Sequence, residues 1–259
     1  MQFAGSHILS ISQFERADVE RLFTVADAMR PYAHRERITR VLDGAILGSM
    51  FFEPSTRTRI SFGSAFNLLG GEVRETTGFE HSAIAKGESL YDTARVLSGY
   101  SDIIVMRHPE DGSVSEFAAA SRVPVINGGD GANEHPSQAL LDLYTIRSEL
   151  AGRQCALDGL RIAMLGDLRF GRTVHSLSKL LSLFEGLRIS LVSPEALSMP
   201  ESVVETLRAV GHEVLETDVL ETGIADVDID QAFKNRSRSV DFWPGRGRWA
   251  NKRCGRGRI

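Results

Sequence analysis

Ser55-Thr56-Arg57-Thr58-Arg59 places hydroxyl and guanidinium donors on five consecutive residues. The apolar run Ala45–Phe52 leads into it. Ile60, Phe62, Ala65, Phe66 and Leu69 then recur at helical spacing until Gly70-Gly71. Pro54 favours a helix start and Ser55 suits an N-cap. The stretch reads as a strand feeding a helix N-terminus, where the first backbone N–H groups lack partners and the helix dipole favours an anion. The planar fork of arginine matches phosphate oxygens. A lone Ser-Thr-Arg would be read as an ordinary cap with solvated arginines. Five donors in a row between two apolar elements point instead to an oxyanion or phosphate site.

Three further polar clusters follow. Arg107 comes directly after the short apolar strand Asp102–Met106. His135-Pro136-Ser137-Gln138 follows the loop Gly128–Glu134, whose glycines permit close backbone approach, and presents an imidazole and an amide at a helix start. Ser82–Ser89 is a polar loop with one lysine, Lys86. Taken singly, Arg107 reads as a surface arginine, His135 as a solvated loop residue and the Ser82 loop as a surface segment.

The elements that must position these clusters alternate. Ser12-x-x-Glu15 has a capping-box pattern, and Val19, Leu22, Phe23, Ala26 and Met29 continue on one helical face until Pro31. A strand at Glu72–Thr76, a helix at Glu88–Gly99, a second capping box at Ser113-x-x-Glu116 and a strand at Val123–Asn127 come next. Pro136 opens another helix. A second series has strands at Arg161–Leu165 and Leu187–Val192, with further strands at Glu213–Leu215 and Ala225–Val227. Helices at Thr173–Phe184 and from Ser198-Met199-Pro200-Glu201 to Gly211 lie between them. Strands alternating with helices imply right-handed βαβ units, so the fold class is α/β, with two doubly wound parallel-sheet domains. In such sheets ligands bind beyond the C-terminal ends of strands, where Ser55, Arg107, Gly128–Gln138 and Gly166–Arg172 all fall.

The 259 residues are 42% hydrophobic and 25% charged, a soluble globular balance. No apolar run approaches the roughly 20 residues that span a bilayer, and no basic-then-apolar leader opens the chain. Cys155 and Cys254 are far apart without metal-like spacing, so free thiols in a reducing cytoplasm are expected. Charge is uneven. Residues 1–227 hold 21 Lys+Arg against 31 Asp+Glu, a net of −10, whereas residues 228–259 hold nine against three, a net of +6.

Ser55–Arg59, Arg107, the Ser82–Ser89 loop and His135-Pro-x-Gln138 occur in the order and spacing of the aspartate and ornithine carbamoyltransferases, and the resemblance covers about residues 5–227. It implies that Ser55, Thr56, Arg57 and Thr58 hold the phosphate of carbamoyl phosphate. It also implies that Arg107, His135 and Thr58 contact the carbonyl oxygen, and that Gln138 contacts the carbamoyl amide. Ser82 and Lys86 resemble residues that reach into a neighbouring subunit's site, which implies a homotrimer. Gly166-Asp-Leu-Arg-Phe-Gly-Arg-Thr-Val-His-Ser176 resembles the start of an aspartate domain, with Arg172, like Lys86, on the substrate aspartate. The Ser82-x-x-x-Lys86-Gly-Glu-Ser loop and Arg172 favour the aspartate type over the ornithine type, because an acceptor with extra carboxylates calls for such cations. The implied reaction needs no cofactor or metal. The implied domains are 1–150 for carbamoyl phosphate and a partial aspartate domain at 151–227. Regulatory or dihydroorotase-like chains would be additional partners; nucleic acid and membrane are not expected.

Two alternatives belong beside this reading. Gly166-x-x-x-x-Gly171-Arg172-Thr173 differs from a phosphate-binding P-loop by arginine in place of lysine, so a nucleotide-binding module is one rival. Against it, no later apolar strand ends in a metal-binding Asp. The other is a catalytically dead, regulatory paralogue, against which the intact first-domain motifs speak. After Val227 the resemblance stops. The family's Thr-Arg-x-Gln and His-Pro-x-Pro-Arg segments are absent, and residues 228–259 are rich in Arg and Gly without helical or strand period. An arginine/glycine-rich nucleic-acid arm is one reading of this tail, and a shifted or aberrantly ended reading frame is preferred. The expectations are a disordered tail, a second sheet lacking its last strand with an exposed edge, and impaired aspartate binding or stability.

Overall fold

The computed structural model describes residues 1–77 and 87–233; Ser82, Lys86 and residues 234–259 lie outside the described residues. The chain forms two compact units, Met1–Ser137 and Gln138–Ile259. The division falls in the first turn of the helix Pro136–Ala151, which ends at the expected boundary near 150.

In the first unit, β1 (Ile46–Phe51), β2 (Glu72–Thr77), β3 (Ile103–His108) and β4 (Val125–Asp130) form one parallel sheet in the order β2-β1-β3-β4. The helices are α1 (Arg16–Ala33), α2 (Thr56–Leu68), α3 (Leu90–Leu97) and α4 (Ser113–Ala120). The central strands β1 and β3 are apolar on both faces because helices cover both sides of a parallel sheet. Alternation along the strands separates two clusters. Met50, Ile104 and Met106 pack with Val114 and Phe117 of α4. Leu47, Phe51 and Val105 pack with Phe62 and Phe66 of α2.

The chain's beginning does something the sequence pattern did not indicate. Ile8 bridges Ile126 in parallel, its N–H donating to Val125 O (2.8 Å) while Asn127 N–H donates to Ile8 O (2.8 Å). This segment lines the outer edge of β4. Neither expected capping box forms as read. Ser10 caps the turn Ile11–Gln13, while Glu15 N–H donates to Asp18 Oδ2 (3.0 Å) at the start of α1. Gly112, at φ 78°, caps α4, and the Ser113 hydroxyl turns back to Glu110 O (2.7 Å). Pro31 does not end α1, which runs to Ala33.

In the second unit, β5 (Arg161–Gly166), β6 (Arg188–Val192), β7 (Glu213–Thr217) and β8 (Ile229–Phe233) form a second parallel sheet, ordered β7-β6-β5-β8. The helices are α5 (Pro136–Ala151), α6 (Arg172–Leu181), α7 (Glu201–Ala209) and the short α8 (Leu220–Ile224). The α/β expectation holds in both units. Past Ile224 it needs correction. No strand forms at Ala225–Val227; β8 lies further on, inside the segment expected to be disordered, and it makes β5 an interior strand. The reason is polar anchoring, which has no hydrophobic period to betray it. Buried Asp228 accepts from Arg161 N (3.0 Å) and Arg161 Nη2 (2.8 Å), and its own N–H donates to Arg161 O (2.7 Å). Arg153 Nη1 donates to Asp228 O (2.9 Å), and Arg161 also pairs with Asp226. Its hydrogen bonds to Asp228, and secondarily to Asp226, push the Arg161 guanidinium pKa up, so it stays charged.

The expectation of free thiols concerns a pair of which Cys254 lies outside the described residues. Among the described residues no helix is long and apolar enough to cross a membrane.

Candidate active site

In the first sheet, β1 leads to β2 on one side, while β3 lies on the other side of β1. The crevice where a doubly wound sheet binds ligands therefore opens at the C-terminal ends of β1 and β3. Phe51 of β1 sits in register with Arg107 of β3, and Phe52 N–H donates to Arg107 O (2.9 Å). The turn leaving β1 thus runs beside Arg107 into the N-terminus of α2. Ser55 is the N-cap residue by backbone, but its side chain caps nothing, so the amide end of α2 is left to other acceptors. Thr56 and Arg57 are exposed, and Ser55, Thr58 and Arg59 are half-buried.

Arg107 is not the surface arginine its type suggests. Its side chain is 2% exposed, Nη1 donates to Gly128 O (3.0 Å), and Nη2 pairs with Glu53 Oε2 (3.0 Å). Gly129 explains how the guanidinium fits. At φ 117° this residue takes a conformation open to glycine, and a Cβ there would lie 2.8 Å from Arg107 Nη1 and 3.4 Å from His135 Cδ2. The arginine fork and the imidazole therefore close over one bare stretch of backbone. His135 is buried, with Nδ1 3.2 Å from the Ser137 hydroxyl.

The loop carrying His135 is held from within by Asp130, which is fully buried. Its Oδ1 accepts from Asn127 Nδ2 (3.0 Å) and Glu134 N (3.2 Å); its Oδ2 accepts from Gly112 N (3.1 Å) and Asn133 Nδ2 (3.0 Å). Asn127 Oδ1 accepts from Gly129 N (2.7 Å), fixing the glycine itself. Nearby, His108 is buried edge-on to Phe52 (ring centroids 5.6 Å apart), and its Nδ1 accepts from Glu110 N (3.1 Å). Burial pushes the His108 pKa down, so this imidazole is neutral near pH 7 despite nearby carboxylates.

The second unit has a different strand order but again a switch point: β5 leads to β6 and β7 on one side, with β8 on the other, and the turn after β5 carries Arg172. Arg172 is the first residue of α6 and is half-buried. Gly171 before it is required by space, because a Cβ there would lie 2.7 Å from Asp167 O. Asp167 is buried, and its Oδ1 accepts from Phe170 N (3.0 Å). His175 Nε2 donates to Leu168 O (2.8 Å). Gln138, in the first turn of α5, donates from Nε2 to Asp142 Oδ1 (2.9 Å).

The first unit thus brings together the Ser55–Thr58 helix start, Arg107 and His135. Gln138 and Arg172 belong to the second unit, and Ser82 and Lys86 lie outside the described residues. Sequence reading missed Glu53, Asn127 and Asp130, which set the geometry of the named residues, whereas the close approach at Gly129 is the one expected of that loop's glycines. The signal for Glu53 was present, as a lone acid at the exit of an apolar strand.

Residues 6–148 match the family described as aspartate/ornithine carbamoyltransferase, carbamoyl-P binding domain. The chain is 73% identical over 229 residues to the aspartate carbamoyltransferase catalytic subunit of Saccharophagus degradans, covering 88% of this chain and 68% of that one. It is 69% identical over 242 residues to the Cellvibrio japonicus subunit, covering 93% and 71%. Among solved structures, the catalytic subunit of M. jannaschii aspartate transcarbamoylase matches with a TM-score of 0.82 at 44% identity, over 88% of this chain and 73% of that one. Aspartate transcarbamoylase from Trypanosoma cruzi, solved in complex with N-(phosphonacetyl)-L-aspartic acid, matches with a TM-score of 0.83 at 40% identity, over 90% and 73%. None of these relatives is a nucleotide-binding module. The crevice chemistry and these likenesses agree, and the chain belongs to the aspartate/ornithine carbamoyltransferase family, alongside the aspartate carbamoyltransferase catalytic subunits.

Proposed function

We propose that this chain transfers the carbamoyl group of carbamoyl phosphate to the amine of L-aspartate, giving N-carbamoyl-L-aspartate and phosphate, a step of de novo pyrimidine biosynthesis. The observation that carries the reading is Arg107, buried against Glu53 and packed with His135 over Gly129, beside the uncapped N-terminus of α2. A buried guanidinium at the mouth of a switch-point crevice is suited to an oxyanion that develops there, and such donors act most strongly where water is excluded.

In this reading Ser55, Thr56, Arg57 and Thr58, with the first amides of α2, hold the phosphate. Arg107, His135 and Thr58 face the carbonyl oxygen, and Gln138 takes the carbamoyl amide. The aspartate amine attacks the carbamoyl carbon, a tetrahedral oxyanion forms, and phosphate leaves with its charge held by Arg57. Arg172 and Lys86 take the aspartate. Glu53 already occupies one edge of the Arg107 fork, so it fixes the guanidinium before ligand arrives and competes with the ligand for that edge. The work of the site is positioning two anions and stabilising one charge.

The same reading carries a homotrimer with shared sites, Ser82 and Lys86 being contributed by the neighbouring subunit, and a cytoplasmic location; regulatory or dihydroorotase-like chains would add to that assembly. It also carries weakened aspartate binding, because the Thr-Arg-x-Gln segment of the resemblance has no counterpart after Val227. The direct test is Arg57→Ala. Arg57 is exposed, so the variant should keep its circular dichroism and melting temperature while carbamoyl transfer disappears. Near-normal activity in that variant contradicts the assignment.

A further inference from the structure

Glu134, immediately before His135, is 4% exposed, and its carboxylate leaves its own loop. Oε1 accepts from the Ser10 hydroxyl (2.9 Å) and Oε2 from Ile11 N–H (2.8 Å). Ser10 and Ile11 lie more than 120 residues away in sequence, on the segment that lines the edge of β4. Meanwhile the Glu134 backbone is tied to Asp130 on both sides: its N–H donates to Asp130 Oδ1 (3.2 Å), and its O accepts from Asp130 N (3.3 Å). A further link to the same segment runs from Asn127 Nδ2 to Leu9 O (3.0 Å), and Asn127 in turn fixes Gly129, over which the imidazole of His135 packs.

We propose that Glu134 is a positioning residue that couples the Leu9–Ile11 segment to the imidazole of His135. The peptide preceding His135 has no freedom to rotate while its side chain is clamped to Ile11 and its backbone to Asp130. A glutamate reaching back across the unit is a costly way to satisfy one turn amide, since buried carboxylates are stable only when fully hydrogen-bonded. Here the same carboxylate also sets the direction in which the next side chain leaves the loop. The inference rests on the carbamoyl-transfer reading for its catalytic consequence, but not for its structural one.

The test uses the full chain with ¹⁵N-labelled histidines, comparing wild type, Glu134→Gln and Glu134→Ala. Two quantities are read: the pH titration of the His135 ring, and the kcat and KM for carbamoyl phosphate. An amide oxygen can still accept from Ile11 N–H, so Glu134→Gln should keep the His135 titration and stay within about threefold of wild-type kcat. Glu134→Ala should shift or broaden that titration and lower kcat by about 10²-fold with little change in KM, the loss typical of a displaced catalytic group. If wild type shows no carbamoyl transfer, the functional reading fails while a His135 titration that moves in Glu134→Ala still supports the coupling. A His135 titration identical in wild type and Glu134→Ala overturns it, as does a Glu134→Gln variant that falls as far as Glu134→Ala. Should Glu134→Ala not fold, Ser10→Ala, which removes one of the two donors, takes its place; a partial shift of the His135 ring supports the coupling and none overturns it.

Discussion

The two units share a parallel sheet with a switch point and a functional arginine at a strand exit, yet they hold those arginines differently. Arg107 is buried, ion-paired to Glu53 and bonded to a glycine carbonyl, and the adjoining loop is locked by Asp130 and Glu134. Arg172 opens a helix half-buried, behind a turn set by Gly171 and Asp167. The first arrangement is built before ligand arrives, as charge stabilisation in a transition state requires. The second keeps its arginine half-exposed at a helix start, which in the proposed reading suits the carboxylates of the acceptor. In the proposed reading, two parallel sheets of different strand order supply an oxyanion site around a buried arginine and a carboxylate site around a half-buried one.

The strongest way to break this comparison is to remove each arginine. Arg107→Ala should cost at least 10²–10³-fold in carbamoyl transfer, the usual loss for an oxyanion donor. It should also lower stability by about 3 kcal/mol, because Glu53 loses its partner. Arg172→Ala should raise the KM for aspartate, leave carbamoyl phosphate binding intact and barely move the melting temperature. Steady-state kinetics with thermal melts reads both; equal stability losses would erase the distinction between a fixed and an adaptable arginine.

Asp228→Ala probes the second unit alone. Removing the carboxylate that anchors β8 to Arg161 should cost about 2 kcal/mol, the scale of hydrogen bonds to a charged group. Hydrogen exchange should show the loss in β5 and β8 while β1 and β3 keep their protection. Uniform loss across both sheets would contradict independent anchoring.

A smaller effect concerns pH. Burial lowers the pKa of His212, whose Nε2 donates to Leu181 O (3.2 Å), so the folded state binds a proton there less readily than the unfolded state. Stability from this group is fully present above the unfolded value, about 6.5, and is lost as pH falls through that value toward the depressed one. His212→Gln should therefore flatten the decline of denaturation midpoint between pH 7.5 and 5.5, and an unchanged slope would remove His212 as its source. The smallest effect is expected at Ser49, fully buried on β1 with its hydroxyl unpaired among the described residues. Ser49→Ala should leave stability unchanged or raise it by up to about 1 kcal/mol, since it removes an unsatisfied buried group. A clear loss on chemical denaturation would show that the hydroxyl has a role.

Legibility in the sequence divided along physical lines. The strand Ile46–Phe51, the helix from Thr56 and the start of α5 at Pro136 were visible because apolar period and cap chemistry are local signals. Arg107 and His135 were visible by type and by their place after strands, but their burial was not, since it depends on Gly129 and Glu53 coming from different parts of the chain. The helix starts differ from the capping patterns at Ser12 and Ser113 because neighbouring residues take the caps: Ser10 with Gln13, Glu15 with Asp18, and Gly112. The strand Ile229–Phe233 was missed because Asp228 and Arg161, rather than a run of aliphatic residues, hold it in the sheet.

The most direct test of the central claim is calorimetric titration of carbamoyl phosphate into the wild-type 259-residue chain and into Arg57→Ala. The account predicts saturable binding at one site per chain for wild type and none for Arg57→Ala, with superimposable circular dichroism spectra. A folded wild-type chain that releases no binding heat, or an Arg57→Ala variant that binds as well as wild type, would contradict it.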